Sequence, residues 1–257
     1  MLSEFSRIGV SIAASQARIV LRHPPLNVID IPMIEELLAA LTEAEGRSDV
    51  SAIVISGEGN AFSAGVDVAA HTPDKVEEML TKFHDVIRAL LGTKKVTIAA
   101  VQGHCLGGGA ELAMVCDMVY TADSAQWGFP EIKLGCYPPV ACAALASLVG
   151  QKRAAELILT GRAISGQTAA QIGLATRAVP NEQLTSAVED CIADLQKLSP
   201  AVLAAARKAT YAWDSMHFDK GLARAEKIYR EDLMKTEDAH EGIRAFMEKR
   251  QPRWTGK

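Results

Sequence analysis

Two glutamates stand out in this sequence because of what surrounds them. Glu111 follows Gly107-Gly108-Gly109-Ala110 and precedes Leu112-Ala113, and Glu131 follows Trp127-Gly128-Phe129-Pro130. Both sit in largely apolar surroundings, where an unpaired carboxylate holds its proton to higher pH than in water. Two such groups with different pKa values can divide the work of a general acid and a general base. Taken singly, each has a plainer reading. Glu111 could simply contact a helix N-terminus, and Glu131 could be a turn residue at the surface.

The segment Ile98 to Leu112 reads as a strand, a loop with three consecutive glycines and the start of a helix. Glycines let the backbone approach a ligand closely and adopt positive φ. The first N–H groups of a helix have no partner within it and carry the positive end of its dipole, which suits developing negative charge. Close packing of helix on strand would also explain the glycines. A second small-residue loop, Ala61-Phe62-Ser63-Ala64-Gly65-Val66-Asp67, follows another strand and could offer a further N–H, or be only a surface turn. One donor from each loop would make a two-donor oxyanion hole.

Several other chemistries find no support. Gly109 is followed by Ala110 and Glu111, where a phosphate-binding P-loop needs Lys and Ser or Thr, and the G-x-G-x-x-G dinucleotide pattern is absent here. There is no G-x-S-x-G elbow. The six histidines (His23, His71, His84, His104, His217 and His240) show no metal-binding spacing, though His71 and His104 lie near the two loops and could line a pocket. The five cysteines (Cys105, Cys116, Cys136, Cys142 and Cys191) include no C-x-x-C, and three lie in apolar stretches as small hydrophobes would.

The elements that must position these residues are readable from periodicity. Ile8–Ile12 and Ala17–Leu21 alternate as a hairpin would. Asp30, with Pro32 in the first turn, predicts a helix running to Gly46. Ser51–Ser56, Val96–Val101 and Met118–Thr121 read as buried strands, with helices from Pro73 to Leu91 and Gly108 to Cys116 between them. Strands alternating with helices argue for an α/β core of β-β-α units. Beyond Asn181, read as an N-cap, the chain is all helical: to Leu198, from Ser199-Pro200, from Phe218 to Met234, and from Glu237 to Arg250. Apolar stripes on these helices are either a cap on the chain's own core or a subunit interface.

Three segments in order resemble the crotonase (enoyl-CoA hydratase/isomerase) superfamily, over nearly the whole chain. Ala61 to Val68 looks like that family's first oxyanion loop, Gly103 to Ala113 like its second loop and catalytic helix, and Gly128 to Gly135 like the segment bearing its second glutamate. The resemblance implies an α/β fold, a spiral of β-β-α units over residues 1–195, followed by a helical trimerisation region over residues 196–257. It implies that the Val66 and Gly108 N–H groups hold a thioester oxygen while Glu111 and Glu131 handle water and the α-carbon proton. Coenzyme A would run past Leu26, Ala64, Val66, Asp67, Val68, Ala69, Gly107 and Gly108. An acyl-CoA thioester substrate, no metal or redox cofactor, and a homotrimer or homohexamer are implied as well. Both glutamates being present points to a hydratase, a hydro-lyase.

The turn after Glu131 departs from ordinary enoyl-CoA hydratases. Pro138-Pro139-Val140-Ala141-Cys142 stands where they carry Pro-Gly-x-Gly-Gly, so a stiffer wall should face the acyl group. That turn, with Phe62 to Pro73, is similar to the cyclohexa-1,5-diene-1-carbonyl-CoA hydratases of anaerobic benzoyl-CoA breakdown. The alternatives are a general short-chain enoyl-CoA hydratase, an isomerase or ring hydrolase of the superfamily, and a non-catalytic acyl-CoA-binding protein.

Bulk properties fit this picture. The 257 residues are 49% hydrophobic, 23% charged and 5% aromatic, enough for one large core with a small appendage. The net charge of −4 comes with no long basic run, so nucleic acid is not expected as a partner. Lys94–Lys95 and Lys152–Arg153 are either solvated surface charge or a local pocket for an anionic group. Met1 to Arg7 carries no apolar leader-like run, and Val140 to Val149 is too short to span a bilayer. A cytoplasmic protein that does not enter a membrane is the expectation.

Overall fold

The computed structural model describes residues 5–13, 15–211 and 214–256, so most of the Met1 to Arg7 stretch lies outside the described residues. The chain opens with an antiparallel pair, β1 (Ile8–Ala13) and β2 (Gln16–Leu21), as alternation predicts. Helix α1 (Ile31–Gly46) starts where Asp30 accepts the Met33 N–H at 3.0 Å, with Pro32 in its first turn. Then come β3 (Ala52–Gly57), α2 (Val76–Gly92), β4 (Val96–Val101), β5 (His104–Leu106), α3 (Gly108–Met114), β6 (Met118–Ala122) and β7 (Gln126–Gly128). The rest is α4 (Pro139–Val149), α5 (Gln151–Thr160), β8 (Ile164–Ser165), α6 (Gly166–Gln171), β9 (Arg177–Val179), α7 (Leu184–Leu195), α8 (Pro200–Thr210), α9 (Asp214–Glu231) and α10 (Glu237–Met247). No helix among the described residues is long and apolar enough to cross a membrane.

The strands form two sheets. The larger runs β1-β2-β3-β4-β6-β9, parallel from β2 onward; the smaller runs β5-β7-β8. The chain leaves the large sheet after β4 to add β5 to the small one, and after β6 to add β7 and β8, returning each time through helical segments. The crossover from β3 to β4 does the same with a single bridge, Ser63 to Cys105, and Cys105 in turn pairs with Trp127. Stacking these β-β-α turns sets the loops after β3, β4 and β6 side by side. Sequence patterning did not show β5, β7, β8 or β9, because two or three residues are too few to establish a period.

Both faces of the large sheet are covered, which is why its strands read as unbroken apolar runs. Ile19, Ile55, Ala99 and Val119 lie opposite one another in register and face the main core. Val54, Val96, Ile98 and Tyr120 face the other way, onto Leu184, Ala187, Val188 and Ile192 of α7. Asn181 does not cap that helix: it lies in a 3-10 turn, Asn181–Gln183, and α7 starts where its apolar stripe starts, at Leu184. The helix expected from Pro73 begins at Val76, behind a turn.

The C-terminal helices do not stand apart from the core. Phe218, Leu222 and Tyr229 of α9 join the main core. Arg207 of α8 is buried, with Nε on Asp117 Oδ2 at 2.7 Å and its other nitrogens on the carbonyls of Leu90, Leu91 and Thr93. Helix α10 presses on the turn that follows Pro130: a Cβ on Gly242 would lie 2.2 Å from Leu134 O.

Candidate active site

The first loop is fixed from below. Asn27 is 1% exposed, donates to Glu58 O at 2.9 Å and Ala61 O at 2.8 Å, and accepts the His23 N–H. Ser63 Oγ donates to Asn27 O at 2.8 Å and accepts the Gly65 N–H at 3.1 Å. Ile29 then pairs with Val66 by donating to Gly65 O and accepting from Asp67 N. In such a parallel bridge the Val66 N–H points away from Ile29, and no backbone acceptor within the described residues takes it.

The second loop lies against the first. Leu106 N–H donates to Ser63 O at 3.0 Å and Gly107 N–H to Gly128 O at 2.9 Å. Gly107, at φ +51°, then turns the chain into α3, leaving the Gly108 N–H as an unspent helix-start donor. The glycine run is explained by close approach. A Cβ on Gly108 would sit 2.6 Å from Val66 Cγ2, and one on Gly109 2.7 Å from Ser63 Cβ. The Val66 and Gly108 amides therefore share one cavity wall, as a two-donor oxyanion hole requires.

That cavity, about 70 Å³, is lined by both loops, both glutamates and residues of α2 and α9. Glu111 is 3% exposed, and its Oε1 accepts the Ala141 N–H at 2.9 Å. The donor comes from the first turn of α4, which Pro139 opens. Burial pushes Glu111 up to about 7, against the lowering effect of the Ala141 and Val140 amides. Glu131 stands in a 3-10 turn, Pro130–Leu134, and its enclosed Oε2 has no partner within the described residues. Burial first, and the nearby Glu111 second, push it up to about 8. At neutral pH such a pair readily keeps one proton between two carboxyls, the state in which one acts as acid and the other as base.

The other expected residues divide. Ala64, Val66, Val68, Gly107 and Gly108 line the cavity, as do His71, Pro138 and Pro139. Leu26, Asp67 and Ala69 do not. Leu26 is exposed and accepts the Ala64 N–H at 2.9 Å through its carbonyl, and Asp67 Oδ1 accepts the Ala69 N–H. His104 also lies outside the cavity wall. Neither basic pair reaches it: Lys95 Nζ donates to the carbonyls of Arg47 and Val50, and Arg153 pairs with Glu156 on the surface. Cys105, Cys116 and Cys136 are buried, Cys191 is half-buried and Cys142 is exposed. No three His, Cys, Asp or Glu side chains among the described residues cluster as metal ligands.

Sequence reasoning missed Phe83, His84, Tyr137 and Tyr229, all of which line the cavity. Phe83, His84 and Tyr229 lie on the apolar faces of α2 and α9 and Tyr137 in the turn before α4, and nothing in the pattern tells a cavity wall from a core contact.

The Val66 and Gly108 amides, from adjacent loops, share a cavity with Glu111 and Glu131, an arrangement that can stabilise a developing oxyanion beside a proton-transfer site. The chain belongs to the enoyl-CoA hydratase/isomerase family, whose profile matches residues 11–257. It is 33% identical over 240 residues to cyclohexa-1,5-dienecarbonyl-CoA hydratase of Thauera aromatica, covering 93% of each chain. It is 31% identical over 252 residues to 2,3-dehydroadipyl-CoA hydratase of Escherichia coli strain K12, covering 96% of this chain and 98% of that one. Among solved structures it resembles an enoyl-CoA hydratase from Mycobacterium avium subsp. paratuberculosis K-10, with TM-score 0.89 at 26% identity over 98% of this chain and all of the other. The crotonase-type fold expected from the three motifs is the fold found, and the enzyme is a hydro-lyase of the enoyl-CoA hydratase type.

Proposed function

We propose that this enzyme adds water across the conjugated double bond of an enoyl- or dienoyl-CoA thioester. The observation that carries this reading is the pair of glutamates, buried Glu111 and half-buried Glu131, raised to about 7 and about 8, on the cavity that also holds the Val66 and Gly108 amides. Addition to an enoyl thioester passes through an enolate-like state whose charge collects on the thioester oxygen. Two preorganised N–H donors lower its energy. The ionised carboxyl orients and deprotonates water while the protonated one delivers a proton to the α-carbon. Enclosure by Phe83, Pro138 and Pro139 keeps other water away. The chemistry draws on no cofactor beyond the coenzyme A of the substrate, which runs out past Ala64 to Ala69 and Leu26.

The acyl group we favour is a cyclic diene, cyclohexa-1,5-diene-1-carbonyl. Two facts support it: the Thauera aromatica relative bears that activity in its name, and Pro138-Pro139 form a stiff wall on the cavity. Assembly as a trimer or a pair of trimers is proposed through the C-terminal region, where Leu198, Val202, Phe246, Met247 and Trp254 are all exposed.

The test is a hydration assay on crotonyl-CoA and cyclohexa-1,5-diene-1-carbonyl-CoA, with Glu111→Gln and Glu131→Gln as controls. We expect turnover of the diene and a loss of roughly 10²–10⁴-fold in each variant. Turnover of crotonyl-CoA alone would make this a general short-chain hydratase. No hydration of either, with thioesters still bound, would overturn the hydratase reading.

A further inference from the structure

The cavity wall formed by α2 and α9 carries polar groups that water addition does not use. His84 of α2 is fully buried beside Phe83 and lines the cavity. Its Nδ1 lies 2.6 Å from Glu226 Oε1 on α9, and the same oxygen accepts from Arg88 Nη2 at 3.0 Å. A carboxylate engaged by a guanidinium is ionised and can only accept, so the proton of this contact sits on His84 Nδ1. Burial holds the imidazole below its usual pKa, with Glu226 opposing, and the ring is neutral at pH 7. Nε2 is then a bare acceptor. It is enclosed and has no partner within the described residues.

Tyr229, three residues along α9 from Glu226 and hence on the same helix face, lines the same cavity. Its enclosed hydroxyl has no oxygen or nitrogen partner within the described residues and lies against the Cys136 thiol. Tyr137, by contrast, spends its hydroxyl on Ala225 O at 2.6 Å. Buried polar atoms are normally matched, so the unmatched acceptor at His84 Nε2 on this wall calls for a guest that donates to it. An acyl group without a hydroxyl would leave Nε2 bare.

We propose that His84, oriented by Glu226, is a specificity-determining residue that accepts a hydrogen bond from a hydroxyl group already present on the acyl part of the substrate, with the Tyr229 hydroxyl as its neighbour. This rests on the acyl-CoA reading of the site and adds to the ring diene a second class of acyl group, thioesters that carry a hydroxyl away from the reacting double bond. A carboxylate or ether oxygen would not serve, because neither can donate to Nε2.

The test is equilibrium binding by calorimetry, which needs no turnover. The ligands are saturated thioesters in matched sets: cyclohexanecarbonyl-CoA with its 4-hydroxy and 4-methoxy derivatives, and pentanoyl-CoA with its 5-hydroxy and 5-methoxy derivatives. A site built to bond a hydroxyl discriminates against the analogue lacking it, so in at least one set the hydroxy ligand should bind about 10-fold more tightly than its parent, with no gain for the methoxy ligand. His84→Phe should reduce that ratio to about 2 or less, and His84→Gln, which keeps an acceptor, should restore part of it. If His84→Phe does not fold, Glu226→Gln serves instead: it frees the imidazole tautomer and should narrow the gap between hydroxy and methoxy ligands. Equal binding of hydroxy and parent ligands in both sets, or a preference that survives His84→Phe, would overturn the proposal. Failure of every thioester to bind would overturn the acyl-CoA reading beneath it.

Discussion

Glu131 occupies the space that a side chain on Gly107 would need: a Cβ built there comes within 2.5 Å of Glu131 Oε1. Gly107 also sits at φ +51°, where a residue with a Cβ is strained. The glycine that caps α3 therefore also makes room for Glu131, although the two are distant in sequence. Gly107→Ala should displace the Glu131 carboxylate and cost about 1–2 kcal/mol of stability from backbone strain. Its kcat should fall at least about 10²-fold, the scale of losing a positioned acid or base. Steady-state kinetics alongside thermal melting checks both halves.

Gly108→Ala tests the oxyanion hole. The added methyl would lie 2.6 Å from Val66 Cγ2 and 3.4 Å from Val66 N, pushing the two donor loops apart. Losing the use of one donor costs roughly 2.7–4 kcal/mol of barrier lowering, so kcat should drop about 10²–10³-fold. A variant with undiminished kcat would show that the Gly108 and Val66 amides do not hold the oxyanion.

The glutamate pair should leave a mark on pH dependence. Activity should be highest between about 7 and about 8, where the pair keeps one proton, and a kcat/KM profile across pH 5–10 would show the two limbs. Stability should carry the opposite of the usual carboxylate signature. Both groups are raised above their ordinary 4.5, so the folded state holds more protons than the unfolded one between about 4.5 and about 8. Stability therefore falls as pH rises through that window. Glu131→Gln, which has no charge to bury, should melt at about the wild-type temperature at pH 5 and a few degrees higher, on the order of 2–4 °C, at pH 9. Identical melting curves at pH 9 would sink this expectation.

Arg207→Ala should be among the more damaging substitutions outside the cavity. It strips a buried guanidinium from Asp117 and from the carbonyls of Leu90, Leu91 and Thr93. Removing one partner of a buried pair leaves the other charge uncompensated, typically costing about 3–5 kcal/mol. Urea unfolding monitored by circular dichroism would measure it, and a cost below about 1 kcal/mol would contradict the anchoring role.

The legible part of the site was the part carried by consecutive residues. The glycine run, the small-residue loop and the apolar settings of Glu111 and Glu131 each state their chemistry locally, and their order along the chain matched one family. The α/β class was legible too, because long buried strands and helices of several turns repeat their period often enough to be read. The short strands β5, β7 and β8 were not, though they form the second sheet and set the two loops side by side.

Sequence by itself thus singled out Glu111, Glu131, Val66 and Gly108, which the fold brings to one cavity, since residue type and neighbouring backbone freedom are local properties. Tertiary structure alone decided which residues close the site. The α4 amides of Val140 and Ala141 steady Glu111. Leu26, Asp67 and Ala69 fall outside the cavity wall while Val68 and His71 fall on it. His84 and Glu226, 142 positions apart, become a hydrogen-bonded pair. Helical periodicity shows which face of α2 and α9 is buried but not what that face meets. A histidine on the buried face of α2 gains its carboxylate only because another helix supplies it.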